Sequence, residues 1–175
     1  MKRVNVVGTS GTGKSTFCRR LSEQMQCQHI EMDALFWQPN WQSLPDEQFF
    51  TVLQGISEQD SWVLDGNYKR TEEIKWQRVD TVIWLDYSFP RTFYYAIKRA
   101  IIRVATKQEL WPGTGNVESF RQVFLSKDSI ILWTLSTFFK NRRHYKALMA
   151  SPQYQSIKFV RLTSPKEAQE YLNRL

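Results

Sequence analysis

The octapeptide Gly8-Thr9-Ser10-Gly11-Thr12-Gly13-Lys14-Ser15 constrains this chain more than any other stretch, because it fits GxxxxGK[ST] at every fixed position. It follows the apolar run Val4 to Val7 and precedes a helical pattern in which Phe17, Leu21 and Met25 recur every four residues. A strand, a glycine-rich bend and a helix in that order make a phosphate cradle. The glycines let consecutive N–H groups turn toward phosphate oxygens, and the helix N-terminus adds the positive end of its dipole. Gly8, Ser10, Gly11, Thr12, Gly13, Lys14, Ser15 and Thr16 are the expected nucleotide contacts. Lys14 supplies a point charge for the β and γ phosphates and Ser15 a hydroxyl for Mg²⁺, so ATP and Mg²⁺ are the expected ligands.

The remaining chain alternates short apolar runs with helical patterns, the signature of βαβ units and a parallel sheet. Strands are expected at Val4 to Val7, His29 to Met32, Trp62 to Leu64, Thr81 to Leu85 and Ile157 to Leu162. Phe49, Val52, Leu53 and Ile56 define the inward face of a helix behind Pro45-Asp46-Glu47, and Phe93, Ile97, Ile101 and Val104 that of a helix from about Pro90. A long helical region is expected over about 117–149, with a possible break at 126–128. Ser164-Pro165-Lys166-Glu167 combines a capping box with proline at the first helical position. A length of 175 residues and 42% hydrophobic content fit one domain over 1–175. Within it we expect an acceptor-binding insert at about 34–60 and a lid and basic helical region at about 90–150.

Charge is unevenly placed. Residues 67–150 hold 15 Lys/Arg against 7 Asp/Glu, whereas the rest of the chain is nearly balanced. Such a segment suits polyphosphate, nucleic acid or an acidic surface, or is a solvated face. Cys18 and Cys27 lie nine positions apart with no CxxC or matching histidines, so a reducing cytoplasm is expected and a zinc site is not. No signal peptide or membrane span is expected, and the sequence does not specify an oligomeric state.

Beyond the cradle, three carboxylates stand at expected strand ends. Asp65 and Asp86 each close an apolar strand where a metal-side acid would lie, and each could instead cap the next turn. Asp33 could orient an acceptor hydroxyl and take its proton, or cap a helix; Glu31 shares its face if the strand continues. Phe36, Trp37 and Trp41, with Phe49 and Phe50 behind, could stack on a flat acceptor or form the core of a subdomain. Arg99 and Arg103, four apart beyond Arg91, could reach a transferring phosphoryl group from a lid, or could be solvated.

Together these segments resemble the adenylate-kinase-like group of P-loop kinases, and within it the DNA topology modulation (FlaR-like) proteins. The resemblance rests on residues 8–15, Met32-Asp33-Ala34-Leu35-Phe36-Trp37 with Pro39-Asn40-Trp41, Trp62-Val63-Leu64-Asp65-Gly66-Asn67-Tyr68, Asp80 to Asp86, and Gly115-Asn116 with Glu118. It implies a three-layer α/β P-loop NTPase fold with a five-stranded parallel sheet of order 2-3-1-4-5. It further implies an acceptor-binding region after the second strand, with Asp33 at the acceptor, a lid after the fourth strand, and Asp65 at the metal. With the residue reading above, the expected activity is Mg-ATP-dependent phosphoryl transfer to a small-molecule acceptor, a nucleoside or nucleotide, with Lys14, Asp33, Arg99 and Arg103 catalytic and Ser15 and Asp65 at the metal. Lys69 stands where relatives carry the arginine that grips an acceptor phosphate, with Arg70 one place on. The adenine would lie near Leu162-Thr163-Ser164. The alternative implied by the family's name is an ATP-binding regulatory protein that influences DNA topology; Lys140 to Lys146 is basic, but no DNA-reading motif is present.

Overall fold

The computed structural model describes residues 1–125 and 129–175. Five parallel strands, β1 (Arg3–Gly8), β2 (Gln28–Glu31), β3 (Trp62–Asp65), β4 (Thr81–Leu85) and β5 (Lys158–Leu162), pair in the order β2-β3-β1-β4-β5. This is the expected 2-3-1-4-5 sheet. Its helices are α1 (Lys14–Met25), α2 (Met32–Phe36), α3 (Asp46–Ser57), α4 (Glu72–Lys75), α5 (Phe89–Thr106), α6 (Ile130–Met149) and α7 (Pro165–Asn173). A two-residue antiparallel ladder pairs Trp37–Gln38 with Gln42–Ser43, inside the segment expected to receive an acceptor.

The three central strands β1, β3 and β4 are short and mostly apolar because both faces are covered, whereas the edge strands β2 and β5 carry polar and exposed residues. Val4, Val6, Val63, Ile83 and Leu85 join Phe17 and Leu21 of α1 and Ala168 and Leu172 of α7 in one core. Val7, Leu64, Val82 and Trp84 join Phe49 and Leu53 of α3, Trp76 and Tyr145 in the other. The two-residue period of β1 also buries Asn5, a polar residue that must be satisfied. Its amide donates to Leu64 O (3.0 Å) and Gly66 O (3.2 Å), and its oxygen accepts from Trp76 Nε1 (2.9 Å). Asn5 thereby fixes the turn after β3 to β1.

Several helical expectations are corrected. The second strand stops at Glu31, and Met32 opens α2. Val52 lies on the exposed side of α3. In α5 the buried stripe is Thr92, Ala96 and Ala100, whereas Phe93, Ile97 and Val104 are half-buried and Ile101 is 52% exposed. At Thr92 and Ala96 the cause is the close approach of the helix to the glycine bend, described below. Val117 forms an antiparallel bridge with Glu109 instead of starting a helix, and a π-helical turn occupies Arg121–Leu125. The break expected at 126–128 lies outside the described residues. α6 starts at Ile130, where the Ser129 side chain accepts from Leu132 N (3.2 Å). Ser164 caps α7, with Glu167 N donating to Ser164 Oγ (3.2 Å), while the Glu167 carboxylate reaches one residue past the cap to accept from Thr163 N (2.8 Å) in place of the expected reciprocal bond to Ser164 N.

One buried charge has consequences for stability. Lys75 is 1% exposed, and its ammonium donates to Asn67 O (2.7 Å) while Glu72 lies nearby. Burial pushes its pKa down from 10.5 to about 7, with Glu72 opposing. Between these values the unfolded chain holds a proton that the folded chain has released, so stability rises with pH across that window and is flat below it. Urea midpoints measured from about pH 6 to about pH 9 should climb, by the equivalent of a few kcal/mol at most. Lys75→Met should remove this part of the slope. A profile of unchanged slope in the variant would show that another group titrates.

Candidate phosphate and acceptor site

The bend between β1 and α1 lies at the carboxyl end of the sheet, beside the chain crossing to β3, where open α/β sheets bind ligands. Gly11 and Gly13 take φ of +89° and +79°, a region that glycine enters without strain. The bend is held at its root by Asn67. Gly8 N donates to Asn67 Oδ1 (2.9 Å) and Asn67 Nδ2 donates back to Gly8 O (3.0 Å). Tyr145 OH donates to the same Asn67 oxygen at 3.2 Å. Thr12 Oγ1 and Lys14 Nζ both donate to Thr9 O, at 2.9 and 3.4 Å. Lys14 therefore folds back over the bend in this structure.

Ser15 Oγ donates to Asp65 Oδ2 at 2.6 Å, which joins the first turn of α1 to the end of β3. The other strand-end acid, Asp86, is instead gripped by Arg161 (Nε at 2.8 Å) and Arg142 (3.2 Å). Those guanidiniums satisfy it, and it neither faces Ser15 nor caps a turn through any bond of the described residues. Glu31 pairs in register with Asp65 across β2 and β3. Burial first, then the Asp65 charge, pushes the Glu31 carboxyl up, so these acids share one electrostatic site.

α5 reaches the bend from above. A Cβ on Gly11 would meet Thr92 O at 2.3 Å and Ala96 N at 2.7 Å, so the helix backbone lies directly against the bend. Arg99, one turn further, donates from Nη2 to Ser10 Oγ. Burial, then the neighbouring Arg103 charge, pulls the Arg99 pKa down, while Glu118, Asp33 and Asp65 raise it. Arg103 pairs with Glu118 at 3.3 Å, and Arg91 is exposed over Tyr95. Of the three expected arginines, Arg99 alone touches the bend among the contacts of the described residues.

Asp33 lies in the first turn of α2, exposed, and its Oδ1 accepts from Tyr68 OH at 2.7 Å. Burial and the Asp33 charge push the Tyr68 pKa far up, which keeps the phenol a donor. Phe36 packs edge-on to Phe49 and Tyr68 and carries the Arg70 guanidinium 5.0 Å over its ring. Trp37 and Trp41 meet a third indole, Trp111, with centroids 5.8 to 6.4 Å apart. Asn116 joins the two segments: Trp41 N donates to its Oδ1 (2.9 Å) and its Nδ2 donates to Gln38 O (2.9 Å). The expected aromatic group is thus part core, through Phe49, and part rim, through the indoles. Asn5, Asn67, Tyr68, Trp111 and Asn116 were absent from the residues singled out by sequence for roles at this site; the readable signal is polar residues inside or beside apolar runs.

No protein-family profile matches the sequence, and no curated protein matches it. Solved structures do. Shikimate kinase from Acinetobacter baumannii, in complex with shikimate, superposes with a TM-score of 0.61 at 14% identity, covering 99% of this chain and 90% of that one. A gluconokinase from Sinorhizobium meliloti gives 0.54 at 16%, covering 99% and 92%. Shikimate kinase from Aquifex aeolicus gives 0.55 at 14%, covering 98% and 92%. At such identities the likeness shows the fold: this chain shares the α/β fold of these proteins, a five-stranded parallel sheet flanked by helices, over nearly its whole length. The narrower resemblance to topology modulation proteins rests on the sequence segments quoted above.

The close approach of α5 separates the two central glycines of the bend experimentally. Gly11→Ala should lower stability by about 2–4 kcal/mol, through overpacking against Thr92 and Ala96 added to backbone strain. Gly13→Ala has strain alone, since nothing lies within 4 Å of its Cβ position, and should cost about 1 kcal/mol. Denaturation of the two variants side by side checks the difference; equal losses would refute the packing account.

Proposed function

We propose that this chain is a kinase that uses Mg·ATP to phosphorylate a hydroxyl of a small-molecule acceptor, and that a nucleoside is the acceptor class its site suits best. The observation that carries the reading is the 2.6 Å bond between Ser15 Oγ and Asp65 Oδ2 at the mouth of the glycine-rich bend. A hydroxyl and a carboxylate so placed, with the first N–H groups of α1 unbonded within the helix, fit a hydrated Mg²⁺ and a polyphosphate. When bound, ATP supplies the transferable phosphoryl group and Mg²⁺ neutralises its charge. Backbone N–H groups of Gly11 and of Gly13 to Thr16, with Lys14 swung out from Thr9 O, would hold the phosphates, while the Gly8 N–H stays on Asn67. Ser15 and Asp65 would hold the metal.

Asp33 receives the acceptor. Its carboxylate is exposed and oriented by the Tyr68 phenol, and it can accept the hydroxyl proton as the new bond forms. Arg99 and Arg103 approach from α5, Arg99 already over Ser10, and oppose charge on the transferring group. A hydroxyl acceptor is favoured over a monophosphate because Arg70 is committed to Asp46 (3.1 Å) and to the Phe36 ring. A flat ring finds Trp37, Trp41 and Trp111 beside it. The solved neighbours named above include enzymes for shikimate and gluconate, so hydroxy acids form the comparison set for any acceptor survey.

A second reading, an ATP-binding regulator that contacts DNA, has one observation in its favour. α5 and α6 contain no Asp or Glu, and Arg91, Lys98, Lys140, Arg143 and Lys146 on them are exposed. Such contacts would be to phosphates and would weaken steeply between about 50 and 200 mM salt. Duplex binding indifferent to salt would exclude it.

ADP release should depend on the acceptor in a survey of nucleosides, nucleotides and hydroxy acids, and an empty survey with folded protein defeats the kinase reading. Asp33→Asn should lower kcat about 10²- to 10⁴-fold with ATP affinity unchanged. Lys14→Ala should abolish tight ATP binding; retention of both affinity and turnover would overturn the assignment of the cradle.

A further inference from the structure

Behind Ser15, on the face of the sheet covered by α1, a second constellation shares Asp65 alone with the residues assigned above to phosphate and metal. We infer that Cys18 Sγ, a ring nitrogen of His29 and a carboxylate oxygen of Asp65 form a site for a thiophilic divalent cation such as Zn²⁺. The three ligand atoms lie within 4.8 Å of one another and come from α1, β2 and β3, so sheet pairing and helix packing bring them together. His29 Nε2 is shut off from solvent without a hydrogen-bond partner among the described residues, an unmet need that a metal would answer. A cavity of about 140 Å³ lined by Ser15, Thr16, Arg19, His29 and Glu31 opens beside it, giving entry and room for a water or for Glu31 as fourth ligand.

The donor set selects the ion. Sulfur, imidazole and carboxylate suit zinc, whereas Mg²⁺ prefers an octahedron of oxygens and would stay at Ser15. Tetrahedral bond lengths of about 2.0–2.3 Å require the three ligands to close in by roughly 1 Å, which side-chain rotation supplies. On binding, a metal–sulfur bond forms, the S–H bond breaks and its proton passes to water, with no change of oxidation state. Asp65 would then serve two masters. Its movement toward Cys18 draws it from Ser15, so occupancy of this site should inhibit phosphoryl transfer without displacing nucleotide from the bend.

The test uses the nucleotide-free full chain with Co²⁺ as the spectroscopic probe. We expect a thiolate-to-cobalt absorption band that saturates near one equivalent, is removed by Zn²⁺, persists in Cys27→Ser, vanishes in Cys18→Ser and weakens at least tenfold in affinity in His29→Gln. Circular dichroism confirms folding; if Cys18→Ser fails to fold, His29→Gln decides. No band in the parent protein, or a band that survives Cys18→Ser and is lost in Cys27→Ser, overturns the site. The inhibition arm alone rests on the kinase reading: Zn²⁺ should lower turnover in the parent and spare Cys18→Ser. A cobalt band in a protein that phosphorylates nothing would keep the metal site and discard the kinase.

Discussion

The two-way bond between the Asn67 amide and the backbone of Gly8 is the constraint on which the site depends. At the end of β1 the chain must leave the sheet for the phosphate bend, and the N–H and C=O of its last residue need partners. Asn67 satisfies both, at 2.9 and 3.0 Å, from the turn two residues beyond Asp65. The bend and Asp65 are thereby referenced to one side chain. Asn67 is itself held from two sides, its carbonyl by Lys75 and its side-chain oxygen by Tyr145 of α6. The separation of Ser15 from Asp65 is thus a property of packed elements rather than of a free loop, which is what preorganised phosphate chemistry requires.

Where periodicity and apolar runs decide the structure, the sequence was a sufficient guide. Val4 to Val7 and Thr81 to Leu85 are legible because buried parallel strands leave little room for polar alternation. The inward face of α5 was not legible, because hydropathy ranks Phe93 and Ile97 above Ala96 while the glycine bend below lies against the backbone of Thr92 and Ala96. Asp65 and Asp86 looked alike at their strand ends. What separates them is two arginines, Arg142 and Arg161, brought to Asp86 from α6 and β5 by the tertiary fold. Asp33 was visible as a strand-end acid, yet its partner Tyr68 and its place inside a helix follow from the turn after β3 and the early stop of β2. The third indole, Trp111, lies seventy residues from Trp41 in sequence, beyond any local pattern.

The stitch made by Asn116 has a consequence for how this cluster of indoles could be altered or transplanted. Its carboxamide staples the segment after α5 to the small ladder after α2, and Trp111 leans on Trp37 and Trp41 across that seam. The rim is therefore a composite of two distant stretches of chain, inherited as a pair. A chimaera that imports residues 34–60 alone into a related scaffold would carry two indoles without the third, and backbone groups at Gln38 and Trp41 without the amide that answers them. A working exchange has to move both stretches at once.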